Sequence, residues 1–144
     1  GVSNFTPAQT AALARFLPVP LVSHQSEFSP LHLAPLFDGL FDRSMEQGMA
    51  FLAWSPLAGG RLGDPADERG QAIAALLDAK AAEYDVSRAA ATYSWVMAHP
   101  ARPIPIVGTQ KVERIREIPQ AFIPRWTRAE WYAVLQVAMG ERLP

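Results

Sequence analysis

An α/β fold built on a parallel sheet is predicted by three features of the chain. Short apolar runs at 21–25, 49–53 and 104–107, with a strand-like stump at 1–5, each stop at polar or glycine-bearing turns. Between them lie helical segments, the connection that parallel strands require. The 13 prolines fall at segment boundaries, where they punctuate the pattern. Either a barrel or a doubly wound sheet satisfies this alternation.

Taken in order, Gly1-Val2-Ser3-Asn4-Phe5 reads as the end of a strand whose beginning is missing, so the chain is expected to be a fragment. Thr6-Pro7 has the form of a helix N-cap with proline at the first helical position, and Ala11, Ala12, Leu13 and Phe16 then carry an apolar face towards Pro18. Leu21 to Gln25 is a strand that brings Gln25 and Glu27 to a common rim before Ser29-Pro30 breaks it. Leu36, Phe37, Leu40 and Met45 recur at helical spacing up to Gly48, which leads into a buried strand at 49–53.

Asp64 to Gly70 is polar and reads as a loop. Gln71 to Tyr84 follows as a helix burying Ile73, Leu76, Leu77 and Ala81. Ser87 caps the next helix, which carries Ala91, Tyr93, Trp95, Val96 and Met97 as far as His99-Pro100. Ile104, Ile106 and Val107 predict a short buried strand ending at Gly108, and Lys111 to Glu117 a short helix beyond it. Thr127-Arg128-Ala129-Glu130 is a capping box opening a last helix that ends near Gly140.

Composition narrows the function classes. With 144 residues, 49% of them hydrophobic and 19% charged, the chain can bury a real core as one unit. A net charge of −1 without long blocks of either sign gives no electrostatic support to nucleic-acid or membrane-surface binding. Cysteine is absent, which removes disulfides and thiolate chemistry and fits a cytoplasmic setting. No apolar run approaches the roughly 18 residues of a membrane span. Three scattered histidines give no metal-ligand spacing, so no metal is expected.

The most informative stretch is Ala53-Trp54-Ser55-Pro56-Leu57-Ala58-Gly59-Gly60-Arg61-Leu62, where an apolar run ends in a glycine-rich turn beside a large aromatic face. Gly59 and Gly60 permit close approach of backbone amides to an anion, and Arg61 adds charge. Phosphate binding and an ordinary strand-end turn are both open readings of this stretch alone.

Four motifs in succession carry a resemblance. Gly1-Val2-Ser3-Asn4-Phe5, then Gln25-Ser26-Glu27, then Ala53-Trp54-Ser55-Pro56-Leu57, then Ile106-Val107-Gly108-Thr109 with Val112-Glu113-Arg114-Ile115, resemble the strand-end motifs of the aldo-keto reductase family, nearest its bacterial branch with tryptophan at the third strand end. The resemblance implies the C-terminal half of a (β/α)8 TIM barrel, with residues 1–144 supplying the end of strand five through strand eight and the C-terminal helix.

It also implies a nicotinamide dinucleotide. Ser3, Asn4 and Gln25 would hydrogen-bond the carboxamide, which needs both donors and acceptors. Trp54, in place of the usual tyrosine, would stack on the nicotinamide ring. Ser55, Leu57, Gly59 and Gly60 would line the pyrophosphate. Thr109 and Arg114 would hold the adenosine 2′-phosphate, with Glu117 at the neighbouring adenine position, favouring NADPH over NADH. Ile118 stands where the family usually has asparagine, and Gly108 where it usually has lysine.

The family's catalytic Asp, Tyr, Lys and His belong to strands not represented here, and none of Tyr84, Tyr93, Tyr132, Lys80, Lys111, His24, His32 and His99 is placed to replace them. The expectation is the cofactor-binding half of an NADPH-dependent reductase of aldehydes or ketones, inactive alone. Its alternative is a noncatalytic half-barrel that binds nucleotide or a partner. Open edges predict pairing with another copy or with a missing first half.

Other residues read more simply. Tyr93 and Trp95 are packing residues, and alternation turns His24 away from Gln25 towards the helices. Of Trp131 and Tyr132, one faces inward and the other shapes a rim. Asp38, Asp42 and Glu46 form a solvated stripe. Without the resemblance, Asn4 organises a turn and Arg114 pairs with Glu113 or Glu117.

Overall fold

The computed structural model describes residues 1–141. Four parallel strands, β1 (Val2–Ser3), β2 (Ser23–Glu27), β3 (Ala50–Trp54) and β4 (Ile104–Pro105), lie side by side in chain order. Helices α1 (Pro7–Ala14), α2 (Leu40–Gln47), α3 (Glu68–Glu83) and α4 (Arg88–Met97) connect them, and α5 (Val112–Glu117) and α6 (Arg128–Met139) follow the last strand. This is the parallel, alternating arrangement expected, and it corresponds to part of an α/β barrel.

The register fixes two faces. Ser3 lies beside Gln25, Gln25 beside Leu52 and Leu52 beside Ile104, so one row of side chains crosses the whole sheet. On the opposite face His24, Phe51 and Ala53 are fully buried. The main core joins Phe51 and Ala53 to Phe28, Phe41, Ile73, Leu77, Trp95 and Val134. Alternation thus turns one face to the helices and leaves the row containing Gln25 more open.

Local chemistry sets the helix starts. Thr6 and Gln9 cap α1 reciprocally, as Thr127 and Glu130 cap α6. Ser87 caps α4 by accepting from the Ala90 amide, as expected. Between α4 and α6, Trp95 and Trp131 stack at 4.9 Å, and each indole N–H donates to the other's carbonyl, at 3.2 and 3.0 Å. This closes the polar ends of two large apolar rings inside the core.

Several boundaries depart from expectation. The second strand runs two residues later than 21–25, and Val22 is 65% exposed. α1 stops at Ala14, leaving Phe16 outside it and exposed, while its buried residue is Thr10, whose hydroxyl donates to the Thr6 carbonyl. The helix expected from Leu36 is split: Ala34–Leu36 is a single tight turn, Gly39 adopts φ 85°, and α2 begins only at Leu40. Phe37 and Met45 are consequently exposed, and Leu40, Phe41 and Ser44 form the buried side.

The polar segment 64–70 is not all loop. Asp67 accepts from the Gly70 amide at 2.6 Å and starts α3 at Glu68. The last strand is not buried as expected, because it is an edge: Ile104 is 51% and Ile106 36% exposed, although the Ile106 amide still donates to the Ala53 carbonyl.

Candidate functional site

The sheet's C-terminal rim gathers side chains from three strands. Asn4, just past β1, has φ 56°, and its amide donates to the Gln25 carbonyl at 2.8 Å. Its side-chain oxygen accepts the Trp54 indole N–H at 3.0 Å. Ser3 is the register neighbour of Gln25. Ser3, Asn4, Gln25 and Trp54 are therefore brought together. Asn4 serves Trp54 as well as the turn, and Trp54 is a half-buried strand end rather than a free tip.

Glu27 is the register neighbour of Trp54 and lies 3.6 Å from His32 Nδ1. A tight turn holds His32 there through paired backbone bonds with Ser29, at 3.1 and 3.0 Å. The sequence pointed to Glu27 on this rim. It did not bring His32 to it, because a return of three residues between Ser29 and His32 leaves no periodic signal.

Beside this rim opens a cleft of about 1320 Å³ between the segment after β3, the segment after β4 and the start of α4. Ser55, Leu57, Gly59, Gly60, Thr109, Arg114 and Glu117 all line it. Left-handed backbone at Ser55, Ala58, Gly59 and Gly60, with φ of 49°, 53°, 65° and 92°, winds residues 55–63 into a short coil. Among the described residues a Cβ built on Gly59, Gly60 or Gly108 would meet nothing within 4 Å, so their backbone stands open. Thr109 Oγ accepts from the Lys111 amide at 3.2 Å and thereby orders the approach to α5.

Arg61 is not part of this lining. It is exposed, and its Nε donates back to the Ala58 carbonyl at 3.0 Å, which closes the coil. Arg114 faces the cleft, and among the described residues no carboxylate lies within 4.0 Å of it. The surface ion pair with Glu113 or Glu117 is therefore absent among the described residues.

The lining also contains groups the sequence did not single out for this place. Tyr93 is 8% exposed, as its packing role requires, yet it reaches the cleft wall. Burial pushes its phenol up, and the Arg114 charge opposes this. Arg88 and Asp78 form a two-pronged pair at 2.6 Å for each bond, and those bonds hold the guanidinium above its ordinary range. Nothing in the sequence couples positions ten apart on different helices.

His24 faces the helices, as alternation requires. Among the described residues neither ring nitrogen has a partner, and its ring lies parallel to that of Phe51 at 6.1 Å. Burial lowers its pKa against the opposing pull of Asp38. Among the described residues no group of three or more His, Asp or Glu could hold a metal ion, and no helix is long and apolar enough to cross a membrane.

The geometry unites a strand-end rim and an open glycine-lined cleft, and known proteins are similar to this chain in sequence or in fold. The Aldo/keto reductase family profile matches residues 1–137. The chain is 51% identical over 144 residues to a 6-dehydroglucose reductase of Novosphingobium aromaticivorans, covering all of this chain and 47% of that protein. It is 39% identical over 149 residues to oxidoreductase YdhF of Escherichia coli K12, covering 48% of it. The chain thus spans about half the length of the curated relatives it matches.

Among solved structures, the thermostable aldo-keto reductase Tm1743, in complex with the inhibitor epalrestat, superposes with a TM-score of 0.79 at 23% identity, over 95% of this chain and 47% of that one. A putative 2,5-diketo-D-gluconic acid reductase B gives 0.76 at 24% identity, over 95% and 44%. These two likenesses carry the fold, and the family profile carries the membership. With the strand-end motifs in order on four parallel strands and the profile spanning residues 1–137, this chain belongs to the aldo-keto reductase family of oxidoreductases.

Proposed function

We propose that residues 1–144 form the cofactor-binding part of a nicotinamide-dependent oxidoreductase, and that the cofactor is NADPH. The observation that carries this is the junction of the two halves of the site: Trp54, bonded to Asn4, is followed directly by Ser55, the first residue of the cleft. A flat ring over Trp54 and phosphates beside Gly59 and Gly60 then need no break in the ligand's path.

Ser3, Asn4 and Gln25 would hold the carboxamide, and Trp54 the face of the ring. Ser55, Leu57, Gly59 and Gly60 would receive the pyrophosphate, through backbone amides as much as side chains. Thr109 and Arg114 would meet the 2′-phosphate, with Glu117 at the adenosine end. Arg114 is suited to this because no carboxylate among the described residues already neutralises it. Arg61 would add only diffuse positive charge near the turn. When bound, the cofactor supplies the hydride that reduces a carbonyl to an alcohol.

This chain's own part is binding and orientation. Tyr93 and Lys80 are committed to the core and to carboxylates respectively. In our reading the proton donor for aldehyde or ketone reduction comes from strands beyond these four, so the chain alone is inactive. The name of the relative at 51% identity supports an aldehyde on a sugar as the substrate of the whole protein. Glu27 and His32, on the rim beside Trp54, are suited to its hydroxyl groups.

Calorimetric titration with NADPH, NADH and the Trp54→Ala variant tests the cradle. Saturable binding that prefers NADPH and weakens in the variant is expected; no heat of binding would overturn the reading.

The alternative is a noncatalytic half-barrel, favoured by the exposed edge residue Ile104 and by Val22. In either case the open sheet face would be covered by strands equivalent to the other part of the neighbours' barrels, from a second copy or from a first half. Sedimentation mass decides for this chain: a pair is expected, and a stable compact monomer argues against it.

A further inference from the structure

The coil at 55–63 is hydrogen-bonded mainly to itself. The amides of Ala58, Gly60, Arg61 and Gly63 donate to the carbonyls of Ser55, Leu57, Ala58 and Gly60 respectively, at 2.7, 3.0, 3.3 and 2.8 Å. The Arg61 side chain closes on the same coil. Its left-handed residues at 55 and 58 are not glycines, so the wound shape costs backbone energy that surrounding contacts must offset.

Among the described residues, the hydrogen bonds that cross from this coil to the helices come from one side chain. Arg88, the first residue of α4, donates through Nη1 to the Leu62 carbonyl at 2.8 Å and to the Gly63 carbonyl at 3.3 Å. Its other edge donates through Nε and Nη2 to the two oxygens of Asp78 on α3, at 2.6 Å each. One planar fork therefore ties three elements, and its charge is met by the Asp78 carboxylate. Lysine could not span these acceptors, since it presents a single nitrogen.

We propose that Arg88 is a positioning residue of the cleft: by tying Leu62 and Gly63 to α3 and α4, it holds Gly59 and Gly60 in the shape that receives the pyrophosphate. This rests on the dinucleotide reading above. Arg88 acts through the coil and not through its charge, which Asp78 already balances. Among the described residues, the cationic groups of the lining with no carboxylate within 4.0 Å are Lys111 and Arg114.

Amide exchange by mass spectrometry and NADPH calorimetry on the wild-type, Arg88→Lys and Arg88→Met chains test it. A coil holding its binding shape only about a tenth of the time raises the apparent Kd about tenfold. Both variants are expected to show that loss, with exchange about tenfold faster at 58–63 and unchanged in α6.

Wild-type exchange and affinity in Arg88→Lys would overturn the proposal, because charge alone would then suffice. So would faster exchange throughout the chain, which marks a merely stabilising residue, or faster coil exchange with unchanged affinity. If wild type binds no NADPH, the dinucleotide reading fails instead, and a coil that exchanges no faster in the variants removes the tether separately.

Discussion

The indole N–H of Trp54 donates to the side-chain oxygen of Asn4 at 3.0 Å, across a sequence separation of fifty residues. Asn4 sits in the left-handed region at φ 56°, which asparagine tolerates better than most residues. The bond therefore ties the ring plane of Trp54 to the turn that follows β1. Trp54→Phe removes the donor and keeps an aromatic face, whereas Trp54→Ala removes both. Calorimetry is expected to give NADPH binding weaker by about fivefold for the first, from one hydrogen bond, and by about tenfold or more for the second, which also loses the stacking.

Arg114 should decide between the two dinucleotides. Its guanidinium faces the cleft without a carboxylate within 4.0 Å among the described residues. Arg114→Ala is expected to weaken NADPH binding by about tenfold or more and to leave NADH nearly unchanged, since charge-assisted bonds to phosphate are the strong ones. Equal losses for the two, measured side by side, would remove Arg114 from the 2′-phosphate.

Glu130 gives the fold an acid-sensitive junction. Hydrogen bonds from buried Lys80 and from Thr127 hold its carboxyl down at about 2, against an ordinary 4.5. A carboxyl depressed on folding stabilises fully above its unfolded pKa, and the contribution is lost as pH falls from about 4.5 through about 2. The Glu130 side chain is 40% exposed, so solvent screening limits the effect to about 1 kcal/mol. Urea melts at pH 7 and pH 3 should show Glu130→Gln less stable than wild type at the first, with the gap narrowed to about half at the second.

His24 works in the same direction through burial. Its folded pKa is lowered, so stability is highest above about 6.5, the ordinary imidazole value, and falls as acid protonates the unfolded chain preferentially. Both nitrogens are buried and without partners among the described residues, a cost of about 1 kcal/mol or more that an apolar side chain avoids. His24→Leu is expected to raise the melting temperature by about 2–4 °C for a chain of this length and to flatten its pH dependence between 5 and 7. A lower melting temperature at pH 7.5 would count against the orphaned-imidazole argument.

Much of the candidate site's lining was legible because strand-end chemistry is local. Trp54, Ser55 and the Gly59-Gly60 turn announce themselves by an apolar run stopping at glycine, and Thr109 and Arg114 follow another strand end at a short interval. Caps were equally legible at Thr6, Ser87 and Thr127, where the accepting side chain sits within three residues of its donor.

The rest was hidden for identifiable reasons. Asp67 lay in a polar segment whose composition resembles a loop, although one carboxylate suffices to begin α3. Phe37 and Met45 fit a helical period that Gly39 interrupts. Arg61 looked like an anion ligand, but a guanidinium four bonds from the backbone can fold back on its own turn. The Arg88 and Asp78 pair depends on how two helices dock, which no local spacing encodes.

The strands pair strictly with their sequence neighbours, β1 with β2, β2 with β3 and β3 with β4. A chain emerging from the ribosome can therefore add each strand to a template already in place, with no gap held open for a later arrival. Its Asn4 and Trp54 contact can form once residue 54 is out, long before Thr109 and Arg114 exist to complete the far wall. During synthesis the rim around Asn4 and Trp54 is expected to mature first, and the wall holding Thr109 and Arg114 only when the last strand has docked.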